Sequence, residues 1–182
     1  MARRTCMSSS FARVFGLVLG LVPSWALACE ADETFLFTCQ TENPDRTIEL
    51  CGREEDTGGG MHWNGVHYLY TTEKGVELSY PADPKEGHTK LYFSHLFRDG
   101  LYEAYLRFVD GADTYRLFYR DAPDGADPVG GVEISRDGQL LETIHCGEPP
   151  LWYFETTRKI AACDMENPFG AEGCAALVPQ VK

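Results

Sequence analysis

Hydrophobic and polar residues alternate most cleanly over Leu101–Arg120, on either side of Asp110-Gly111-Ala112-Asp113. Before the turn, Tyr102, Ala104, Leu106 and Phe108 share one face, and Glu103, Tyr105, Arg107 and Val109 the other. After it, Tyr115, Leu117 and Tyr119 oppose Arg116, Phe118 and Arg120. Side chains leave a strand on opposite faces in turn, so this pattern about a Gly/Asp turn predicts a long β-hairpin at the centre of an antiparallel sheet, with Leu106, Phe108 and Leu117 in the core.

Shorter alternating runs surround it. Thr34–Cys39 places Phe35, Phe37 and Cys39 together, and Arg46–Cys51 returns after Asn43-Pro44-Asp45 with Ile48 and Leu50 facing inward. Gly52–Gly60 reads as an acidic, glycine-ended loop. Val66, Tyr68 and Tyr70 lie on one face of the next strand, and Glu73-Lys74-Gly75 turns the chain into Val76, Leu78 and Tyr80. Lys90–Arg98 leads into the central hairpin, and Val132–Arg136 and Gln139–Cys146 form a last one about Asp137-Gly138. The expectation is a mainly β domain, an antiparallel sandwich or small barrel of about nine strands. After the break at Gly147–Pro150, Leu151–Ala162 predicts one short C-terminal helix, followed from about residue 164 by an irregular tail.

Residues 1–28 stand apart from this pattern. Arg3, Arg4 and Arg13 precede the apolar stretch Val14–Val22, which is too short to span a bilayer, and Ala26-Leu27-Ala28 offers a cleavage site. They read as a removed signal peptide, leaving residues 29–182 as a single domain with no transmembrane segment, periplasmic or secreted. Cys29 directly follows the small residues, so a lipid anchor there is an alternative. Cysteine parity argues against it. Cys29, Cys39, Cys51, Cys146, Cys163 and Cys174 make an even set suited to three disulfides in an oxidising compartment. If the first two strands form a hairpin, Cys39 and Cys51 are too far apart to bond. Cys51–Cys146 is then the expected link between first and last strands, with Cys29–Cys174 fastening the termini.

The full chain has a formal charge of −12; without residues 1–28 it has thirteen cations against twenty-eight acids, a charge of −15. Such a surface repels nucleic acid and favours a cationic protein as partner, and it also simply aids solubility.

Candidate chemistry is sparse. His62 and His67 lie five apart on one strand and face opposite ways, and no metal-ligating pair at zinc spacing occurs. Asp121, Asp124 and Asp127 lack the alternate-residue spacing of an EF-hand loop. Ser79, Ser94 and Ser135 stand in no nucleophile elbow, and Ser94 and His95 point to opposite faces. Neither a metal, a cofactor nor a catalytic set is assigned. A carboxylate/His hydrolase remains an alternative if His62, His67 or His145 meets two acids in a pocket. The aromatics are more informative: Trp63, beside the glycine loop, and Trp152-Tyr153, past the last strand, lie at element edges where a binding surface would form.

Phe37-Thr38-Cys39, Ile48-Glu49-Leu50-Cys51, Tyr68-Leu69-Tyr70, Cys146 and Cys163-Asp164 together resemble an uncharacterised group of small exported Cys-containing proteins of Gram-negative bacteria. That resemblance implies an exported β-protein and brings no catalytic residues with it. In size, compartment and Cys-stapled architecture the chain is also similar to the periplasmic lysozyme inhibitors. Asn64-Gly65-Val66-His67-Tyr68 is its nearest approach to their Ser-Gly-x-x-Tyr-like loop, and the resemblance makes Asn64 and His67 binding candidates beside Trp63. Together these features suggest an exported acidic binding or interaction protein, with inhibition of a cationic cell-wall hydrolase as one alternative.

Overall fold

The computed structural model describes residues 29–56 and 61–174, so the expected signal peptide and the glycine end of the acidic loop lie outside the described residues. In chain order the strands are β1 (Thr34–Gln40), β2 (Thr47–Asp56), β3 (Met61–Thr72), β4 (Gly75–Tyr80), β5 (Tyr92–Arg98), β6 (Leu101–Asp110), β7 (Asp113–Arg120), β8 (Val129–Arg136), β9 (Gln139–His145), β10 (Leu151–Trp152) and β11 (Ala162–Cys163). Helix α1 (Gly87–Lys90) follows a single 3-10 turn at Pro84–Glu86, and α2 (Phe154–Ile160) lies between β10 and β11. The strands form two sheets, ordered β10-β1-β2-β3-β4 and β11-β5-β6-β7-β8-β9. Every neighbouring pair is antiparallel except β11 against β5. Neither sheet closes on itself, so of the two expected architectures the chain adopts the sandwich.

The core lies between the sheets. Ile48, Leu50, Val66 and Tyr68 meet Phe93, Leu106, Phe108, Leu117 and Val132, all almost fully buried. The central hairpin has its expected bounds, and Leu106 pairs with Leu117 across it. Asp99 and Asp137 both take positive φ, 54° and 51°, at the Asp99-Gly100 and Asp137-Gly138 turns.

Three expectations are corrected, and the tail takes a definite place. Acidic residues Glu54-Glu55-Asp56 extend β2 rather than forming a loop, and pair with Trp63, His62 and Met61. A bulge between Phe35 and Phe37 in β1 puts Phe35 on the outer side, beside Cys29, Cys51 and Leu69. Leu151-Trp152, expected as the start of the helix, instead adds an edge strand to β1. The tail after residue 164 is irregular but packed: Asp164 and Gly173 are buried, and Phe169 lies 5.3 Å from the Tyr105 ring. It covers the outer face of β5 and β6, which explains why Ser94, Tyr105 and Arg107 are buried on what the alternation makes the solvent side.

The disulfides are Cys29–Cys51, Cys39–Cys146 and Cys163–Cys174. The bond between early and late strands exists, but Cys39 makes it and Cys51 does not; the favoured Cys51–Cys146 and Cys29–Cys174 links are absent. Strand parity is the reason. Ile48 and Leu50 face the core, so Cys51 faces outward toward the N-terminal segment, while Cys39, opposite Ile48, faces inward toward the end of β9. Cys39 and Cys51 are unbonded to each other, as the hairpin register requires.

Candidate functional site

Strand β4 pairs with only the second half of β3, from Tyr68 onward. Along the first half the neighbouring chain is the 3-10 turn and α1, which approach so closely that a side chain at Gly87 would collide with the Val66 carbonyl oxygen. The β2–β3 ribbon therefore projects past the sheet with a cleft on either side of it. Both clefts are lined by Asn64, Gly65 and Lys85.

The larger cleft, about 670 Å³, lies between the ribbon, α1 and α2. Trp63 forms its apolar wall. A Cβ at Gly52 would stand 2.8 Å from the Trp63 ring, so the indole rests directly on the β2 backbone, and only glycine fits there. Around it stand Glu54 and His62 from the ribbon, Lys85 and His88 from the connection to β5, and Lys159 from α2. Two lysines and a single carboxylate thus line this cleft, in a chain whose net charge is strongly negative.

The smaller cleft, about 490 Å³, lies over the outer face of β3 and β4. There Nδ1 of His67 is 3.7 Å from Oε1 of Glu33, with the side chains 9% and 4% exposed. The Glu33 carboxylate also accepts the Glu30 backbone N–H at 2.9 Å. Arg53 pairs with Glu30 at 3.1 Å and Asp32 at 2.9 Å, and Asp32 above all raises the Arg53 pKa. Ser79 and Asp83 line the same space. A histidine with several acids is the arrangement that the hydrolase alternative called for. No hydrogen bond joins His67 to Ser79 among the described residues.

Of the residues singled out from the sequence, Trp63 and Asn64 meet in the larger cleft, and Asn64 and His67 in the smaller. Trp152 is not on a binding surface. It is 6% exposed, packs edge-on to Phe37 at 5.0 Å and donates its indole N–H to Thr157 Oγ1 at 3.0 Å. Tyr153 is half-exposed at the start of α2, and its backbone N–H donates to Leu36. His62 and His67 face different clefts, as their odd spacing required. Asn64–Tyr68 runs inside β3 with Val66 and Tyr68 in the core, so it does not project as a loop. Sequence reasoning missed Lys85, His88 and Lys159, which only the folding of α1 and α2 against the ribbon brings together.

Glu33, Cys51 and His67 have potential ligand atoms within 4.8 Å of one another, as do Cys29, Glu49 and Cys51. The cysteine sulfurs are committed to the Cys29–Cys51 bond and offer no thiolate, which leaves too few donors for a metal centre. Asp121 caps Tyr102 N–H at 2.8 Å and accepts the Tyr119 hydroxyl at 2.9 Å; the Asp124 side chain lies outside the described residues.

The arrangement defines a disulfide-stapled β-sandwich with a paired surface cleft. No protein-family model, curated protein or solved structure matches the chain.

Proposed function

We propose that the chain is an exported binding protein, periplasmic or secreted, that holds an acidic saccharide in the cleft over Trp63. Three disulfides suit an oxidising compartment, and no helix among the described residues is long and apolar enough to cross a membrane. The observation that carries the reading is the convergence of Lys85 and Lys159 beside an indole in an open cleft of about 670 Å³. The flat ring supplies an apolar face for a sugar, Asn64 and Glu54 supply hydrogen bonds for hydroxyls, and the lysines meet a carboxylate. The chain's overall charge points the other way, so a cationic protein would have to engage the surface elsewhere. Titration with acidic and neutral oligosaccharides, followed by tryptophan fluorescence, tests the proposal. An emission change with the acidic series that is lost in Trp63→Phe supports it. Unchanged emission with both series removes it.

The His67–Glu33 pair favours a second reading, a hydrolase in which Glu33 orients the imidazole. Turnover of ester or glycoside substrates that His67→Asn abolishes, with circular dichroism unchanged, would establish it. Absence of turnover in the parent protein would remove it.

A further inference from the structure

A third cavity shares no residue with either cleft. Where the edge strands β4 and β9 leave the two sheets unjoined, a pocket of about 380 Å³ opens between the layers. Its floor is Tyr68, and its walls include Tyr70 from the same face of β3 and Tyr115 from the opposite sheet. Tyr115 lines the pocket while it stacks on Phe108 at 4.9 Å and 4°, which commits one ring face to the core. The Tyr68 and Tyr115 rings are 6.4 Å apart and tilted by 44°, with Tyr68 itself 1% exposed at the base of the pocket. Glu77 and Glu142 stand at the mouth, and Thr72 Oγ1 donates to Glu77 at 3.0 Å. Arg46 is the opposing charge there. It donates to the Tyr70 hydroxyl at 3.1 Å, which engages that ring at its edge.

We propose that this Tyr68–Tyr70–Tyr115 pocket binds a small quaternary ammonium compound of the choline type. The face of an aromatic ring is its negative side, and a methylated ammonium is attracted to several such faces at once. Burial raises the pKa of Tyr68 and Tyr115, so both phenols stay protonated and the rings present neutral faces. Quaternary nitrogen has no N–H to leave unsatisfied in a pocket walled by rings and by Ile134 and Ile144, whereas a primary ammonium would need acceptors inside. Two carboxylates against one guanidinium at the mouth, on a chain of charge −12, draw in a cation. The volume sits at the low end of the range for ligand sites and suits a small head group. The proposal stands on residues separate from the Trp63 cleft and does not depend on that reading.

The probes are choline and its neutral isostere 3,3-dimethylbutan-1-ol, titrated into the disulfide-intact protein and followed by NMR chemical-shift changes. The expected result is saturable choline binding at least about tenfold tighter than the isostere. Choline affinity is expected to fall in Tyr70→Leu and in the surface double variant Glu77→Gln/Glu142→Gln, which leaves the core intact. Equal affinity for the two probes overturns the proposal, since it would show a merely apolar pocket. So does an absence of saturable choline binding, or binding that survives both sets of substitutions in folded protein.

Discussion

The clasp between Arg107 and Asp164 makes a quantitative prediction. The guanidinium donates Nε to both Asp164 oxygens, at 3.1 and 3.0 Å, and Nη2 to one of them at 2.8 Å. The side chains are 10% and 1% exposed. The pKa of Arg107 is raised, above all by its hydrogen bonds to Asp164, so the group cannot escape burial by losing its proton. Asp164→Asn keeps the shape and removes the negative charge, leaving a buried guanidinium without its counter-ion. The expected loss is about 3–5 kcal/mol. At roughly 2–4 °C per kcal/mol for a domain of this size, that is a fall of about 6–20 °C in Tm. Arg107→Met should cost a similar amount by stranding the carboxylate. The double variant Arg107→Met/Asp164→Leu should be much less damaged than the two losses combined, because no charge is left buried. Glu166, 79% exposed and 3.5 Å from the same guanidinium, supplies the control: Glu166→Gln should cost under about 1 kcal/mol. Urea unfolding under non-reducing conditions measures all four. Single-variant losses below about 1 kcal/mol, or losses that simply add in the double variant, would refute the reasoning.

Leu106→Ala empties a fully buried site opposite Phe93 and Leu117, and should cost about 2–5 kcal/mol; a loss below about 1 kcal/mol would contradict the face assignment. Removing Cys39–Cys146, whose cysteines are 107 residues apart, should cost about 5 kcal/mol, against about 3 kcal/mol for Cys163–Cys174 at a separation of 11. The reverse order in paired denaturation curves would show that chain entropy does not govern these bonds. His95, beside Tyr102 and beneath Glu155 and Arg158 of α2, has its pKa lowered first by burial and then by Arg158. The folded state therefore binds this proton less readily than the unfolded chain. Stability is complete above the ordinary histidine value of about 6.5 and declines as pH falls from there toward the folded pKa. His95→Phe should flatten that part of the curve of unfolding midpoint against pH, and an unchanged curve would refute the assignment.

The long hairpin was legible because its turn and both strands obey one period, and its inward residues Leu106, Phe108 and Leu117 are the buried ones. Alternation failed where a strand is buried on both faces. Tyr105 and Arg107 looked like solvent-side residues, and nothing local to β6 says that the chain returns some sixty residues later to cover them. Leu151-Trp152 is too short to show any period, so its pairing with β1 overrode a loosely helical pattern. Glu54-Glu55-Asp56 was read from its charge as loop, but an edge of the sandwich tolerates acids when its cross-strand partners are Trp63 and His62. Of the larger cleft, the sequence showed Trp63 and Asn64 as aromatic and polar residues beside a turn. The lysines that give the cleft its character come from two distant helical segments, and no spacing rule links them.

The placement of the disulfides has a mechanical consequence. A pull between Cys29 and Cys174 does not travel along the chain from one end to the other. It passes from Cys29 to Cys39, crosses to Cys146, continues to Cys163 and crosses again to Cys174. Only ten residues of the first stretch and seventeen of the second can be drawn out, because Cys29–Cys51 merely loops the β2 turn back on the same path. The releasable length is roughly 95 Å, where a free chain over the same span would extend to about 500 Å. Strands β3 to β9 hang beside this tether and carry none of the load. Under tension the termini yield a short length and stop, and most of the sandwich keeps its shape.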